Sequence, residues 1–261
     1  MKKFLLLGLL LAIVSGVSPK ASAWSVRGHE AIAYIAELNL NPETKAIVER
    51  YLGGKSIVYY SLYLDQMRFI HEYSFIYKTL HHGADFTADL KSKGRDGTTE
   101  DALFQMTKNM EKLGNGQYKN LPDSVVTLAI QCFIHQMGDV HCPVHMSVDG
   151  RKANFPITRG GKKTMFHAFW DDMPAIGHDW SYMEYGHQLN RCTPEQIAKF
   201  TKGSLFDWGE ENIVETLPVW DYAAEGCELA KPYIYKVVDI MDDLIVKGGH
   251  RLAYVLNTIF K

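Results

Sequence analysis

The run Phe133-Ile-His-Gln-Met-Gly-Asp-Val-His-Cys-Pro-Val-His145 combines a helical apolar stripe with side chains that bind metals. It closes a helix predicted over Ser124–Val140, and Pro143 bars continuation because its ring occupies the space of the preceding turn. His135 and Asp139 are four residues apart, so both project from one helix face, about 6 Å apart along the axis. His145 follows the break and can swing back toward them. Imidazole nitrogen and carboxylate oxygen are donors that zinc accepts. The same spacing recurs in His167-Ala-Phe-Trp-Asp171. One such pair is most often a surface hydrogen bond. Two pairs in a chain with 11 histidines favour a metal site.

Helical spacing dominates on both sides of this run. Ile32, Ile35, Ala36 and Leu38 form a stripe ended by Asn41-Pro42, and Pro42 opens a second helix through Leu52. Further helices are predicted near Ser56–Phe69, Glu100–Leu113, Thr164–Asp171, Pro194–Lys202, Phe206–Glu215, Glu228–Val246 and Arg251–Phe260. Gly83–Thr99 reads as a surface loop, and Ser147–Lys163 as a loop or short hairpin. With no repeats and no linker, the expectation is an all-α chain folded as one mostly helical domain over 24–261.

Lys2 and Lys3 precede an apolar run, Phe4 to Val17, and a polar stretch ending Ala21-Ser22-Ala23. This is the pattern of a secretory signal peptide over residues 1–23, cleaved before Trp24, so the protein is expected to be exported to the periplasm or beyond. The apolar run is too short to span a bilayer, which needs about 20 residues, and no stable membrane association is expected. The whole chain has 28 Lys+Arg against 30 Asp+Glu. Without Lys2, Lys3 and Lys20 the balance is 25 against 30, mildly acidic, which argues against binding a polyanion by charge alone. An exported chain can form disulfides. Cys132 and Cys142 flank a helix end, Cys192–Cys227 is conceivable across two helices, and buried free thiols remain the simpler state.

His29, Asp65, His81 and His82 are further candidate ligands, each with an ordinary alternative such as a loop hydrogen bond or, for Asp65, a pair with Arg68. Trp24-Ser-Val-Arg-Gly-His29 adds a different kind of donor. Cleavage before Trp24 would expose an α-amine of pKa near 8, easier to deprotonate than a lysine. Amine and carbonyl together form a five-membered chelate, and Gly28 lets the chain bend so that His29 reaches the same ion.

Taken together, these motifs resemble the single-strand-specific zinc nucleases and 3′-nucleotidases, the S1/P1 nuclease family. The resemblance rests on Trp24–His29, Asp65-x-x-Arg68, Leu80-His81, His135-x-x-x-Asp139 with Pro143 and His145, His167-x-x-x-Asp171, and Lys247-Gly-Gly-x-Arg-Leu-Ala253. It implies a mostly helical fold holding three zinc ions. Asp65, His81, His135 and Asp139 would bind the first. The Trp24 amine and carbonyl, His29 and a bridging Asp139 would bind the second. His145, His167 and Asp171 would bind the third. The resemblance also implies hydrolysis of single-stranded DNA or RNA and of 3′-nucleotides at the P–O3′ bond by a monomer. Water shared between two zincs would attack, Asp65 would orient that water, and Arg68 would meet the phosphate oxygens.

The chain departs from the family around the substrate base. The residue after His81 is His82 where an aromatic is usual, and His82 is the expected stacking residue. Arg151 or Asn154 stands in for a Gly-Gly-Asn segment, and Met165 replaces an asparagine. Zinc-dependent phospholipase C shares a similar metal run and is one alternative. A non-catalytic exported zinc-binding protein is another.

Overall fold

The computed structural model describes residues 24–261, so the signal-peptide reading of 1–23 lies outside the described residues. The chain folds into helices α1 (Val26–Leu38), α2 (Pro42–Tyr51), α3 (Tyr63–Met67), α4 (Ser74–Tyr77), α5 (Ala102–Leu113) and α6 (Asp123–Asp139). These are followed by α7 (Phe166–Asp171), α8 (Met173–Gly177), α9 (Tyr182–Leu189), α10 (Pro194–Phe200), α11 (Leu205–Asp221) and α12 (Lys231–Ile259). The all-α class holds, with two small sheets added.

Helix α6 is the axis of the molecule. Asp123 occupies its first turn, and from Ala129 to Asp139 every residue is buried, so polar side chains on this segment face other protein groups rather than water. α1 packs against α12, α9 and α6. The close α1–α12 crossing depends on Gly249, where a Cβ would lie 2.4 Å from Ile35 Cγ2. That packing explains a difference from the sequence expectation: Gly248-Gly249 lies inside one continuous 29-residue helix rather than between two. Helix propensity disfavours glycine by about 1 kcal/mol, but the neighbouring helix needs the space.

A buried polar network ties the C-terminal end of α6 to this frame. Arg251 Nη1 donates to Asn212 Oδ1 at 2.8 Å and to His141 Nε2 at 3.1 Å, and Nη2 donates to Glu211 Oε2 at 2.6 Å. Asn212 Nδ2 in turn donates to the Val140 carbonyl at 2.9 Å. Burial and the Arg251 charge hold the His141 imidazolium well below its ordinary range, so it stays neutral and accepts.

Other expectations need correction locally. The predicted helix over Ser56–Phe69 divides into a 3-10 turn at Val58–Tyr60 and α3. Within Gly83–Thr99, strand β1 (Ala84–Phe86) pairs in parallel with β2 (Met146–Val148), Ala84 opposite Met146. The expected hairpin forms from β3 (Pro156–Arg159) and β4 (Lys162–Met165), turning at Gly160 and Gly161, both at positive φ. Helix α9 was not foreseen; its N-terminus is held by a reciprocal Ser181–Glu184 capping box.

Candidate metal centre and active site

α6 supplies His135 and Asp139, both fully buried. α1 presents His29, α3 presents Asp65, and the loop before β1 presents His82. His82 Nδ1 lies 3.1 Å from Asp139 Oδ2, 4.0 Å from Asp65 Oδ1 and 3.2 Å from His135 Nε2. His135 Nε2 is 3.4 Å from Asp139 Oδ2 and 3.9 Å from Asp65 Oδ1. His29 stacks on His135 with ring centroids 4.3 Å apart and reaches to 3.4 Å from the other Asp139 oxygen. Asp139 thus faces two groups of donors, one with each oxygen.

The third group lies beyond the Pro143 break. His145 Nε2 is 3.1 Å from His167 Nε2 and 3.9 Å from Asp171 Oδ1, and His167 Nε2 is 3.6 Å from the same oxygen. The β1–β2 pairing brings this group beside the first, because His145 Nδ1 donates to the His82 carbonyl at 2.8 Å. Asn154 accepts the His167 main-chain N–H at 3.0 Å and so fixes the start of α7.

This placement corrects the sequence reading at one position. His82, not His81, points into the cluster; His81 is exposed and is held through its main chain. Gln105 and Gln136 clamp the loop: Gln105 accepts the His81 N–H at 3.0 Å and donates to the Thr79 carbonyl, while Gln136 donates to the His81 carbonyl at 2.8 Å. The residue following the inward histidine is then Gly83, where a Cβ would meet the His145 carbonyl at 2.5 Å. His82 therefore cannot serve as the base-stacking group expected of it.

The arrangement has the marks of a cation site. His135 Nδ1 donates to the Ser61 carbonyl at 2.8 Å and His145 Nδ1 to the His82 carbonyl, leaving each Nε2 lone pair facing the cluster. A main-chain acceptor on the second nitrogen is the usual way a metal-binding imidazole is oriented. Meanwhile Asp65 Oδ2, Asp139 Oδ1, Asp171 Oδ1 and both His29 nitrogens are buried without a hydrogen-bond partner. Such atoms are costly to bury unless something else satisfies them, and divalent cations would.

Electrostatics agree. Burial opposes ionisation of Asp139, but His135, His29, His82 and His145 outweigh it and hold the carboxyl well below its ordinary range. Asp171 is pushed up to about 9, first by burial and then by Asp139. Burial lowers His135 and His167 to about 4 each.

Trp24 is fully buried, beside His29 through Gly28, whose missing Cβ makes room for the indole. With Val26, Leu62, Asp65, Arg68 and Phe69 it lines a cleft of about 290 Å³. The Arg68 guanidinium lies 4.7 Å over the Phe69 ring. Arg151 is turned elsewhere, 3.4 Å from Asp221 and over the Trp220 ring. All four cysteines are free thiols. The sequence reading missed Cys142 at the site: its sulfur and donor atoms of His145 and Asp171 lie within 4.8 Å of one another. Its position inside the decisive run was the available signal.

The S1/P1 nuclease family model matches residues 24–261, all of the described chain. Nuclease S1 of Aspergillus oryzae is 24% identical over 272 residues, covering 90% of this chain and 91% of its own length. Endonuclease 1 of Arabidopsis thaliana is 26% identical, covering 98% of this chain and 92% of its own. Nuclease P1 of Penicillium citrinum is 23% identical, covering 90% and 97%. Matched from end to end of the described residues, this chain belongs to the S1/P1 nuclease family and is a nuclease that hydrolyses phosphodiester bonds.

Proposed function

We propose that the protein is an exported, monomeric zinc nuclease, mature from Trp24, that cleaves single-stranded nucleic acid and 3′-nucleotides at the P–O3′ bond, leaving 5′-phosphates. The observation that carries the reading is the set of buried, unpartnered donors around Asp139 and Asp171. Asp65, His82, His135 and Asp139 would hold one zinc, and His29 with Asp139 and the Trp24 amine and carbonyl a second. His145, His167 and Asp171 would hold a third. Bound there, zinc supplies Lewis acidity and lowers the pKa of water toward neutrality.

The chain's own residues do the rest. Arg68 meets the phosphate oxygens from the cleft beside Asp65, where charge builds in the transition state. Asp65 Oδ2 carries no other bond and can accept a proton from an attacking water. Phe69, 78% exposed on the cleft rim, offers a face to an unpaired base, which a duplex would hide. Asn154 holds the His167 main chain, and Arg151 is engaged by Asp221 and the Trp220 ring. Among the described residues no helix is long and apolar enough to cross a membrane.

Metal analysis of the processed protein with phosphate release from 3′-AMP and 5′-AMP tests the reading. The expected result is zinc with release from 3′-AMP alone. One residue added before Trp24 is expected to remove the amine donor and lower both the rate and the occupancy of one zinc. An extended variant with unchanged zinc and rate would overturn the amine's role.

A further inference from the structure

We infer that Cys142 is a fourth protein donor to the His145–His167–Asp171 centre, binding its cation through a thiolate. This rests on the metal reading above. Cys142 is wholly buried, directly before the Pro143 break that aims His145. Its Sγ and donor atoms of His145 and Asp171 lie within 4.8 Å of one another. In a tetrahedral centre with bonds of about 2.0–2.3 Å the donors sit about 3.3–3.8 Å apart, so bringing the sulfur, His145 and Asp171 onto one cation takes roughly 1 Å of movement. His167 joins through its 3.1 Å approach to His145 Nε2 and 3.6 Å approach to Asp171 Oδ1.

A buried cysteine alone is ordinary packing. Here it adjoins Asp171, whose side chain is 8% exposed and whose Oδ1 has no partner, aimed at His145 Nε2 and His167 Nε2. A coordinating cation displaces the thiol proton to solvent as the metal–sulfur bond forms. Three oxygen and nitrogen donors plus one soft sulfur select zinc over magnesium or calcium.

Replacing zinc by cobalt(II) in the purified protein gives the test, since thiolate–cobalt bonding produces an intense near-ultraviolet charge-transfer band that nitrogen and oxygen donors do not. The band is expected in the wild-type protein and in Cys227→Ser, and is expected to vanish in Cys142→Ser. That variant should still take up cobalt but release one equivalent at least tenfold more readily to a chelator. Cobalt uptake without the band, or a band that survives Cys142→Ser, overturns the inference and leaves the proposed function standing. A wild-type protein that takes up no cobalt or zinc overturns both. Should Cys142→Ser fail to fold, Cys142→Ala read by the same band decides the matter.

Discussion

Gly138 immediately precedes Asp139 on α6 and faces His29. A Cβ added there would lie 2.4 Å from His29 Nδ1 and 2.8 Å from Cε1, whereas ordinary contact begins near 3.4 Å. In Gly138→Ala the imidazole must therefore retreat by about 1 Å. The ring is fully buried and stacked on His135, so its retreat takes Nε2 away from the Asp139 oxygen now 3.4 Å distant. Forcing a methyl group into a packed core costs about 1–3 kcal/mol, and alanine recovers about 1 kcal/mol of helix propensity. The net loss of up to about 2 kcal/mol lowers Tm by no more than about 8 °C in a chain of this size. The effect on chemistry is larger, because a displacement of about 1 Å in an active site can cost about a hundredfold in rate. Gly249→Ala provides the control: its Cβ meets Ile35 Cγ2 at the same 2.4 Å, away from the metal cluster. Both variants are expected to lose similar stability by thermal melting, while only Gly138→Ala loses metal and about a hundredfold in kcat/KM on single-stranded DNA. A Gly138→Ala enzyme with full metal and wild-type rate would refute the argument, as would two variants losing activity in step with their Tm.

Two further outcomes follow from the structure. In metal-free protein, His135 and His167 sit near 4 against an ordinary 6.5, so between those values the unfolded chain binds the extra protons and stability falls as the medium is acidified. Asp171 sits near 9 against 3.8, so the fold holds an extra proton and stability also falls as pH rises from 6.5 toward 9. Burial also lowers His141, His145 and His250, which adds to the loss on the acid side. The metal-free Tm should then fall on both sides of a maximum near neutrality, and a Tm rising steadily from pH 5 to 9 would contradict the assignment. Phe69→Ala should raise KM for single-stranded oligonucleotides by about tenfold through lost base stacking, with Tm unchanged because the ring is 78% exposed; an unaltered KM would remove Phe69 from substrate recognition.

The helical class was legible because its signal is local. Apolar residues at helical spacing mark α1, α2, α5 and α6, and proline or glycine marks their ends. The pairs His135–Asp139 and His167–Asp171 were legible for the same reason, since a four-residue spacing on a helix leaves little freedom in direction. Ser56–Phe69 shows the limit: its apolar content suits a helix, but Ser61 gives its carbonyl to His135, and the segment breaks into a turn and α3 to do so.

What the sequence by itself determined was the fold class, the donor types and the helix-borne half of the site, because backbone geometry ties residue spacing to direction. Only the tertiary structure decided which of two adjacent histidines turns inward, since in a loop neither spacing nor residue type distinguishes His81 from His82. The choice is made by the Gln105–Gln136 clamp and the β1–β2 pairing, contacts between segments far apart in the chain. The same holds for Gly248-Gly249, where the approach of α1 rather than local propensity keeps α12 whole, and for Cys142, which meets Asp171 only through the fold.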